Sequence, residues 1–264
     1  MSPDATTLAL AADAIRRAQG DGLRVIGLCG AQGSGKSTLA AGLAALFERE
    51  SVPTAILSID DLYLTRAERE RLARDVHPLL RTRGVPGTHD IALGLSILDD
   101  LAAGRPASLP RFDKARDDRA PASDWAGASA DTRLLILEGW CVGARPQPEA
   151  ALAKPVNALE RDEDPDGLWR RFANAALAGP YQHLFGRIDR LILLAAPGFD
   201  IVLRWRIEQE HRLRRAQGGG MSDAEVARFI RHYERLTRHI LAEMPGRADL
   251  VIPLAEDRSP VVRE

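Results

Sequence analysis

Gly30-Ala31-Gln32-Gly33-Ser34-Gly35-Lys36-Ser37 fits the spacing G-x-x-x-x-G-K-[ST] in full, with Thr38 directly after it. Glycines at these places let the main chain wrap until its N–H groups converge on an anion, and the start of a helix adds favourable partial charge. Residues Gly30 to Thr38 therefore read as a cradle for the phosphates of a nucleoside triphosphate. Lys36 is expected to reach the β- and γ-phosphates, and Ser37 to place its hydroxyl on Mg²⁺. From this chain's own composition, chance supplies roughly 0.002 such matches, so the spacing is informative. It points to a nucleotide and leaves the reaction open.

A transferred phosphoryl group needs an acceptor and a base. Ser58-Ile-Asp60-Asp61-Leu-Tyr63 follows a short apolar run, Ala55 to Ile59. Ligands of α/β sheets bind beyond the carboxyl ends of the strands, so Asp60 is expected to accept the proton of an attacking hydroxyl. Asp61 and Tyr63 are expected on the same acceptor. The plain alternative is a carboxylate that caps the next helix, but Thr65-x-x-Glu68 already supplies a capping box. Another apolar run, Leu134 to Leu137, ends in Glu138-Gly139. A carboxylate at a strand tip beside the phosphate loop suits Mg²⁺ held through water, so Ser37 and Glu138 are the expected metal contacts. Transfer also needs positive charge on the migrating group and exclusion of water. Arg204, Arg206 and Arg212 lie in an Arg-rich stretch running into Gly218 to Gly220. That stretch reads as a hinged lid at about 200–221, with a solvated helix face as the plain alternative.

The elements that must carry these groups are legible in the hydrophobic pattern. Leu23 to Cys29, Ala55 to Ile59, Leu134 to Leu137, Leu191 to Ala195 and Leu250 to Leu254 are continuous apolar runs of strand length. Such runs, separated by helical patterns, predict an α/β fold in three α/β/α layers around a mainly parallel five-stranded sheet. Leu8, Ala12 and Ile15 make one face of a first helix within 1–20, with Gly20 as its stop. Leu39, Leu43, Leu46 and Phe47 face inward on the helix after the phosphate loop. Ile91, Leu95, Leu98 and Leu101 mark a helix ending at Gly104. Phe229, Tyr233, Leu236 and Ile240 mark one after the capping box Ser222-x-x-Glu225. Gly84 to Gly87 and Pro106 to Pro121 read as loops, the second long enough to suggest function. The chain, 1–264, reads as one domain with an acceptor-binding insertion at about 62–130.

Composition narrows the classes. In 264 residues, 45% are apolar, 28% are charged, and the net charge is −1. Disorder is excluded, a balanced charge argues against a nucleic-acid or membrane-surface role, and no apolar run reaches membrane-spanning length. Two cysteines, Cys29 and Cys141, and no leader-like start fit a cytoplasmic protein. Of 36 basic residues three are lysines, Lys36, Lys114 and Lys154, so an Arg is a weak signal here and a Lys a stronger one. Asp162-x-Asp164-x-Asp166-Gly167 starts like a calcium loop, but Ala173 stands where a bidentate Glu is required; it reads as an acidic turn. No N-K-x-D guanine element is present, which disfavours a GTPase.

With these motifs the chain resembles the P-loop small-molecule kinases of the phosphoribulokinase, uridine kinase and pantothenate kinase group. Within it the resemblance is to the plant- and fungal-type D-glycerate 3-kinase branch. The general group shares Gly30–Thr38, Ser58–Thr65 and part of the Glu138 segment. The branch is marked by Arg83-Gly-Val-Pro-Gly-Thr-His-Asp90, Pro110-Arg-Phe-Asp-Lys114 with Asp118-Arg119, Glu138-Gly-Trp140-Cys-Val-Gly143 and Phe229-Ile-Arg-His-Tyr-Glu-Arg235-Leu-Thr237. The resemblance implies transfer of the γ-phosphoryl of Mg·ATP to the 3-hydroxyl of D-glycerate, with Asp60 as base and with Arg83, His89 and Lys114 on the acceptor. A small anion needs a fixed cation, and Arg83 and Arg119 are candidates for a fork around its carboxylate. Asp90 sits where a helix cap belongs. One departure stands out: Asp117 precedes Asp118-Arg119 where the branch more often has Gly. Two other readings stay open: a kinase for a nucleoside, sugar derivative or pantothenate-like acceptor, and an ATP-binding regulator with no acceptor of its own. The expected partner is a small hydroxy acid, not a nucleic acid or membrane.

Overall fold

The computed structural model describes residues 2–17, 22–217 and 220–261. Five strands form the central sheet: β1 (Arg24–Gly30), β2 (Thr54–Ser58), β7 (Leu134–Gly139), β8 (Arg190–Ala195) and β9 (Leu250–Pro253). Their spatial order is β2-β7-β1-β8-β9, and every neighbouring pair is parallel. Every residue of β7 and all but the first of β1 are buried. That is why these strands read as unbroken apolar runs and not as alternating ones. Each Leu or Ile so buried contributes ~1.5–3 kcal/mol of transfer free energy.

Helices flank the sheet, as the three-layer expectation requires. Helix α1 (Ala5–Arg16) starts at Asp4, whose carboxylate accepts from the Thr7 N–H at 2.9 Å, and it packs on α2 (Lys36–Arg49). Gly20, the expected stop of α1, lies outside the described residues, as do Gly218 and Gly219 of the expected hinge. Both capping boxes form, at Thr65 for α3 (Arg66–Asp75) and at Ser222 for α10 (Asp223–Glu243). Asp90 caps α4 (Ile91–Ala102) through the Leu93 N–H.

The segment 106–121, expected as a loop, is instead the start of two small antiparallel ribbons. Strand β3 (Ala107–Leu109) pairs with β6 (Ala126–Ala128), and β4 (Phe112–Asp113) pairs with β5 (Asp118–Arg119). Strands of two or three residues are too short to show a period, so pattern alone cannot find them. Four short helices carry the chain back to the sheet: α5 (Glu149–Leu152), α6 (Ala158–Glu163), α7 (Leu168–Ala178) and α8 (Pro180–Phe185). The acidic turn closes α6 and starts α7. Asp164 is buried, takes the N–H groups of Trp169 and Arg170, and pairs with the Arg170 guanidinium at 2.9 Å. Helix α9 (Phe199–Gln217) packs along α10.

Candidate active site

The phosphate loop leaves β1 at Gly30, and Lys36 is the first residue of α2. Gly33 has φ 78°, and a Cβ there would lie 2.7 Å from the Trp205 Cβ of α9. Only glycine satisfies both the turn and this close approach. The Gly33 carbonyl accepts from Arg258 Nε at 2.7 Å. Arg258 also lies over the Trp205 ring and pairs with Glu208 at 2.7 Å. The loop is thus gripped from outside by α9 and the C-terminal turn. Inside it, Ser34 Oγ and both amide atoms of Gln32 are buried and have no protein hydrogen-bond partner.

Because β7 lies between β2 and β1, the carboxyl ends of three adjacent strands meet. Glu138 is in register with Leu28 of β1 and Ser58 of β2. Its Oε1 accepts from the Ser37 hydroxyl at 2.9 Å, while its buried Oε2 has no protein partner. Gly139 lets the turn after β2 come this close, since a Cβ there would overlap the Ile59 side chain. An orphaned carboxylate oxygen joined to a hydroxyl of the phosphate loop fits a hard divalent cation. Among the described residues no group of three or more His, Cys, Asp or Glu can hold a metal. A cation here must therefore draw its other ligands from water and phosphate.

Asp60 and Asp61 lie in a single 3₁₀ turn, Ile59–Leu62, and serve different partners. Asp60 receives Lys114 Nζ at 2.8 Å on Oδ2 and the Tyr63 hydroxyl at 2.8 Å on Oδ1. Burial pushes its pKa up, but the charges of Lys114 and Lys36 and these hydrogen bonds outweigh it. The carboxyl is held well below the usual aspartate range. Asp61 accepts the Phe112 N–H at 2.9 Å and Arg111 Nη1 at 3.0 Å, and burial raises its pKa. It ties down the root of the β4–β5 hairpin.

The other acceptor-side residues surround this pair. Tyr63 is buried and stacked on His89, ring centroids 4.6 Å apart, with Phe112 edge-on at 5.1 Å. His89 is buried too, with Nδ1 2.5 Å from the Tyr181 hydroxyl, and burial pushes its pKa down to about 3. It is a neutral ring at physiological pH. Arg83 pairs with Asp117 and lies 5.3 Å over the Phe112 ring. Arg119 Nη2 donates to the Tyr63 carbonyl at 3.0 Å and to Asp90 at 3.2 Å, and its buried Nε has no protein partner. It braces the wall of the site, and a fork made by Arg83 and Arg119 together is not formed.

The similarity to known proteins bears directly on this arrangement. The pattern of the phosphoribulokinase/uridine kinase family matches residues 25–144, which span the phosphate loop, Asp60, the hairpin and Glu138. The chain is 36% identical over 254 residues to the uncharacterized kinase mug58 of Schizosaccharomyces pombe, covering 90% of each. It belongs to the phosphoribulokinase/uridine kinase family. A chloroplastic D-glycerate 3-kinase of Arabidopsis thaliana is 32% identical over 257 residues, 90% of this chain and 54% of that one. Among solved structures, a D-glycerate 3-kinase from Cryptococcus neoformans superimposes with a TM-score of 0.79 at 24% identity, covering 98% and 97% of the two chains. That likeness shows the shared fold.

As a member of this kinase family the chain is a phosphotransferase with a P-loop for its nucleotide. The family match ends before α9 and α10, where the expected lid arginines sit. All three face carboxylates: Arg204 meets Glu256 at 3.0 Å, Arg206 meets Glu210 at 2.6 Å and Arg212 meets Glu208 at 3.6 Å. Arg206 and its partner Glu210 are one helical turn apart on α9, and both side chains are largely buried. On the neighbouring α10, the Tyr233 hydroxyl donates to the Arg83 carbonyl at 3.1 Å. Among the described residues no helix is long and apolar enough to cross a membrane.

Several residues that shape the site are invisible to motif reading. Arg69, 1% exposed, donates to the carbonyls of Leu64, Arg81 and Asp117 and so joins α3 to the hairpin. Its residue type carries no signal in a chain whose ordinary cation is Arg. Tyr181 and Tyr233 come from distant elements and meet the site only through the fold. Asp117 did leave a trace. It sits at φ 54°, the left-handed region that glycine adopts freely and that Asp, with its short polar side chain, can also visit. Its carboxylate repays the strained backbone by holding Arg83 and Arg69.

Proposed function

We propose that the protein transfers the γ-phosphoryl group of Mg·ATP to the 3-hydroxyl of D-glycerate, giving 3-phosphoglycerate and ADP. The observation that carries this reading is the Lys114 ammonium set 2.8 Å from the Asp60 carboxylate, within the electrostatic reach of Lys36. A cation and a base beside the phosphate-loop lysine suit an acceptor that bears both a carboxylate and a hydroxyl. The Arabidopsis relative, a D-glycerate 3-kinase, supports the same acceptor. A nucleoside or sugar acceptor gives Lys114 and Arg83 no anion to bind.

In this reading Gly30 to Thr38 hold the triphosphate, and Lys36 neutralises the β- and γ-phosphates. Ser37 and Glu138 would hold Mg²⁺, which supplies charge neutralisation to the phosphates when bound. Lys114 and Arg83 receive the acceptor carboxylate. Asp60 takes the hydroxyl proton as the alcohol oxygen bonds to phosphorus and the bond to the ADP oxygen breaks. Tyr63 fixes the orientation of Asp60, and Asp61 fixes the hairpin that delivers Lys114.

The test is acceptor-dependent ADP release across D-glycerate, L-glycerate, nucleosides and sugars, with the product identified by phosphorus–proton coupling. A selective response to D-glycerate with phosphate on C3 is expected. A nucleoside or sugar preferred over D-glycerate would refute the proposal. Lys36→Ala should abolish turnover in the same assay.

A further inference from the structure

Lys114 is held in an unusual position for a substrate-binding cation, because its ammonium rests on the base itself. The β4–β5 hairpin is rooted on Asp61 through Phe112 N–H and Arg111, so its tip projects over Asp60. The turn at the tip is fixed by Asp113, whose Oδ1 accepts the N–H groups of Ala115 and Arg116 at 2.9 and 3.1 Å. Lys114 lies between these anchors with its side chain 62% exposed, and only its end is engaged. Asp60 has both oxygens taken, one by Lys114 and one by Tyr63. A carboxylate in that state is a poor proton acceptor toward any alcohol or water beside the γ-phosphate.

We propose that Lys114 masks Asp60 until a carboxylate-bearing acceptor draws the ammonium away, so that the acceptor's own anion frees the base for transfer. This rests on the reading of a hydroxy-acid acceptor and adds how the site chooses it. The exchange is one ion pair for another, Lys114 with Asp60 for Lys114 with the acceptor carboxylate, so it costs little net charge separation. A solvent-exposed lysine stem can make that move without unfolding the hairpin. Once released, Asp60 loses the partner that most strongly stabilises its charged form and becomes a better base. Neutral alcohols and water bring no anion and leave the mask in place. The hairpin thereby discriminates at the chemical step as well as in binding, and it suppresses wasteful hydrolysis of ATP.

Lys114→Met separates this role from simple attraction of the acceptor. Three rates are measured on the full chain with Mg·ATP: without acceptor, with D-glycerate and with glycerol, which lacks the carboxylate. The mask predicts that Lys114→Met raises both acceptor-free hydrolysis and glycerol turnover by at least about threefold, the scale of an exposed ion pair. It also predicts that kcat/KM for D-glycerate falls roughly 10- to 100-fold through loss of a charge-assisted contact. Lys114→Arg should restore suppression of hydrolysis in part, because the cation returns without the same reach. If Lys114→Met leaves hydrolysis and glycerol turnover at or below the wild-type rates while D-glycerate turnover falls, Lys114 only binds the acceptor and the mask is refuted. The acceptor-free arm decides the matter whichever hydroxy acid is the substrate. Absence of D-glycerate turnover in the wild-type chain would count against the acceptor proposal instead.

Discussion

Asp61 accepts the main-chain N–H of Phe112 at 2.9 Å, while Asp60, one residue earlier, takes the Lys114 ammonium two residues beyond Phe112. Adjacent carboxylates thus hold the root and the tip of one hairpin. The expected outcome is a clean separation. Asp60→Asn should bind ATP normally and lose transfer by at least about 10²-fold, the scale for a positioned base. Asp61→Asn should retain most of kcat and raise KM for the acceptor, because the hairpin loosens. Steady-state kinetics with nucleotide binding measured separately checks both; an inactive Asp61→Asn beside an active Asp60→Asn would reverse the two roles.

The buried, neutral His89 makes stability depend on pH. Its folded pKa is pushed down to about 3 by burial, partly opposed by the charge of Asp60, against 6.5 for the free side chain. Tyr63 and Tyr181 enclose the ring and supply no charge at neutral pH. The unfolded chain therefore binds a proton that the folded chain refuses, and this contribution is complete above about pH 6.5 and erodes as pH falls toward 3. The slope approaches ~1.4 kcal/mol per pH unit for one such group. His232, pushed down to about 4 by burial, acts in the same direction. Denaturant unfolding from pH 7 to pH 4 should show a shallower loss of stability in His89→Gln than in the wild type.

Asp117 combines a strained backbone with a useful side chain. Asp117→Gly should relieve the left-handed conformation, whereas Asp117→Ala keeps it, so the glycine variant should be the more stable by about 1 kcal/mol. Both variants release Arg83 and Arg69 and should raise KM for the acceptor about equally. Equal unfolding midpoints for the two variants would show that the conformation costs nothing.

Arg235 and Glu160 form a buried pair at 2.6 Å, the guanidinium also donating to the carbonyls of Ala151 and Lys154. Glu160 is fully buried. Removing one partner strands the other charge, so Arg235→Met should destabilise by about 3–5 kcal/mol. Adding Glu160→Gln should recover part of that loss. Chemical denaturation of the single and double variants gives the coupling directly.

Glu138→Gln offers a test of the cation site. It keeps a hydrogen-bonding group for the Ser37 hydroxyl and removes the negative charge beside it. The Mg²⁺ concentration giving half-maximal velocity should rise about tenfold or more, while KM for the acceptor stays near its original value. Unchanged Mg²⁺ dependence would remove Glu138 from that role.

The amino-acid pattern by itself determined the parts that depend on local physics. Buried parallel strands need apolar residues on both faces, so all five central strands were legible as runs. A phosphate-binding turn needs glycines and a lysine at set intervals, so Gly30 to Ser37 was legible as a motif. Capping boxes at Thr65 and Ser222 were legible because they close within one turn of helix. The sequence also located Asp60 and Lys114 as chemistry-bearing residues, yet carried no sign that they touch.

Tertiary structure alone decided how those parts meet. The order β2-β7-β1 brings Asp60, Glu138 and the phosphate loop to one sheet edge, although Asp60 and Glu138 lie 78 positions apart along the chain. The two ribbons in 106–128 were hidden because two- and three-residue strands have no period. Arg119 was expected on the acceptor and instead braces Tyr63 and Asp90, because every guanidinium offers the same fork and only packing selects its partner. The same holds for Arg69, Tyr181 and Tyr233, whose roles come from neighbours far away along the chain. Residue type sets what a side chain can do, local pattern sets which element carries it, and long-range packing sets which groups it faces.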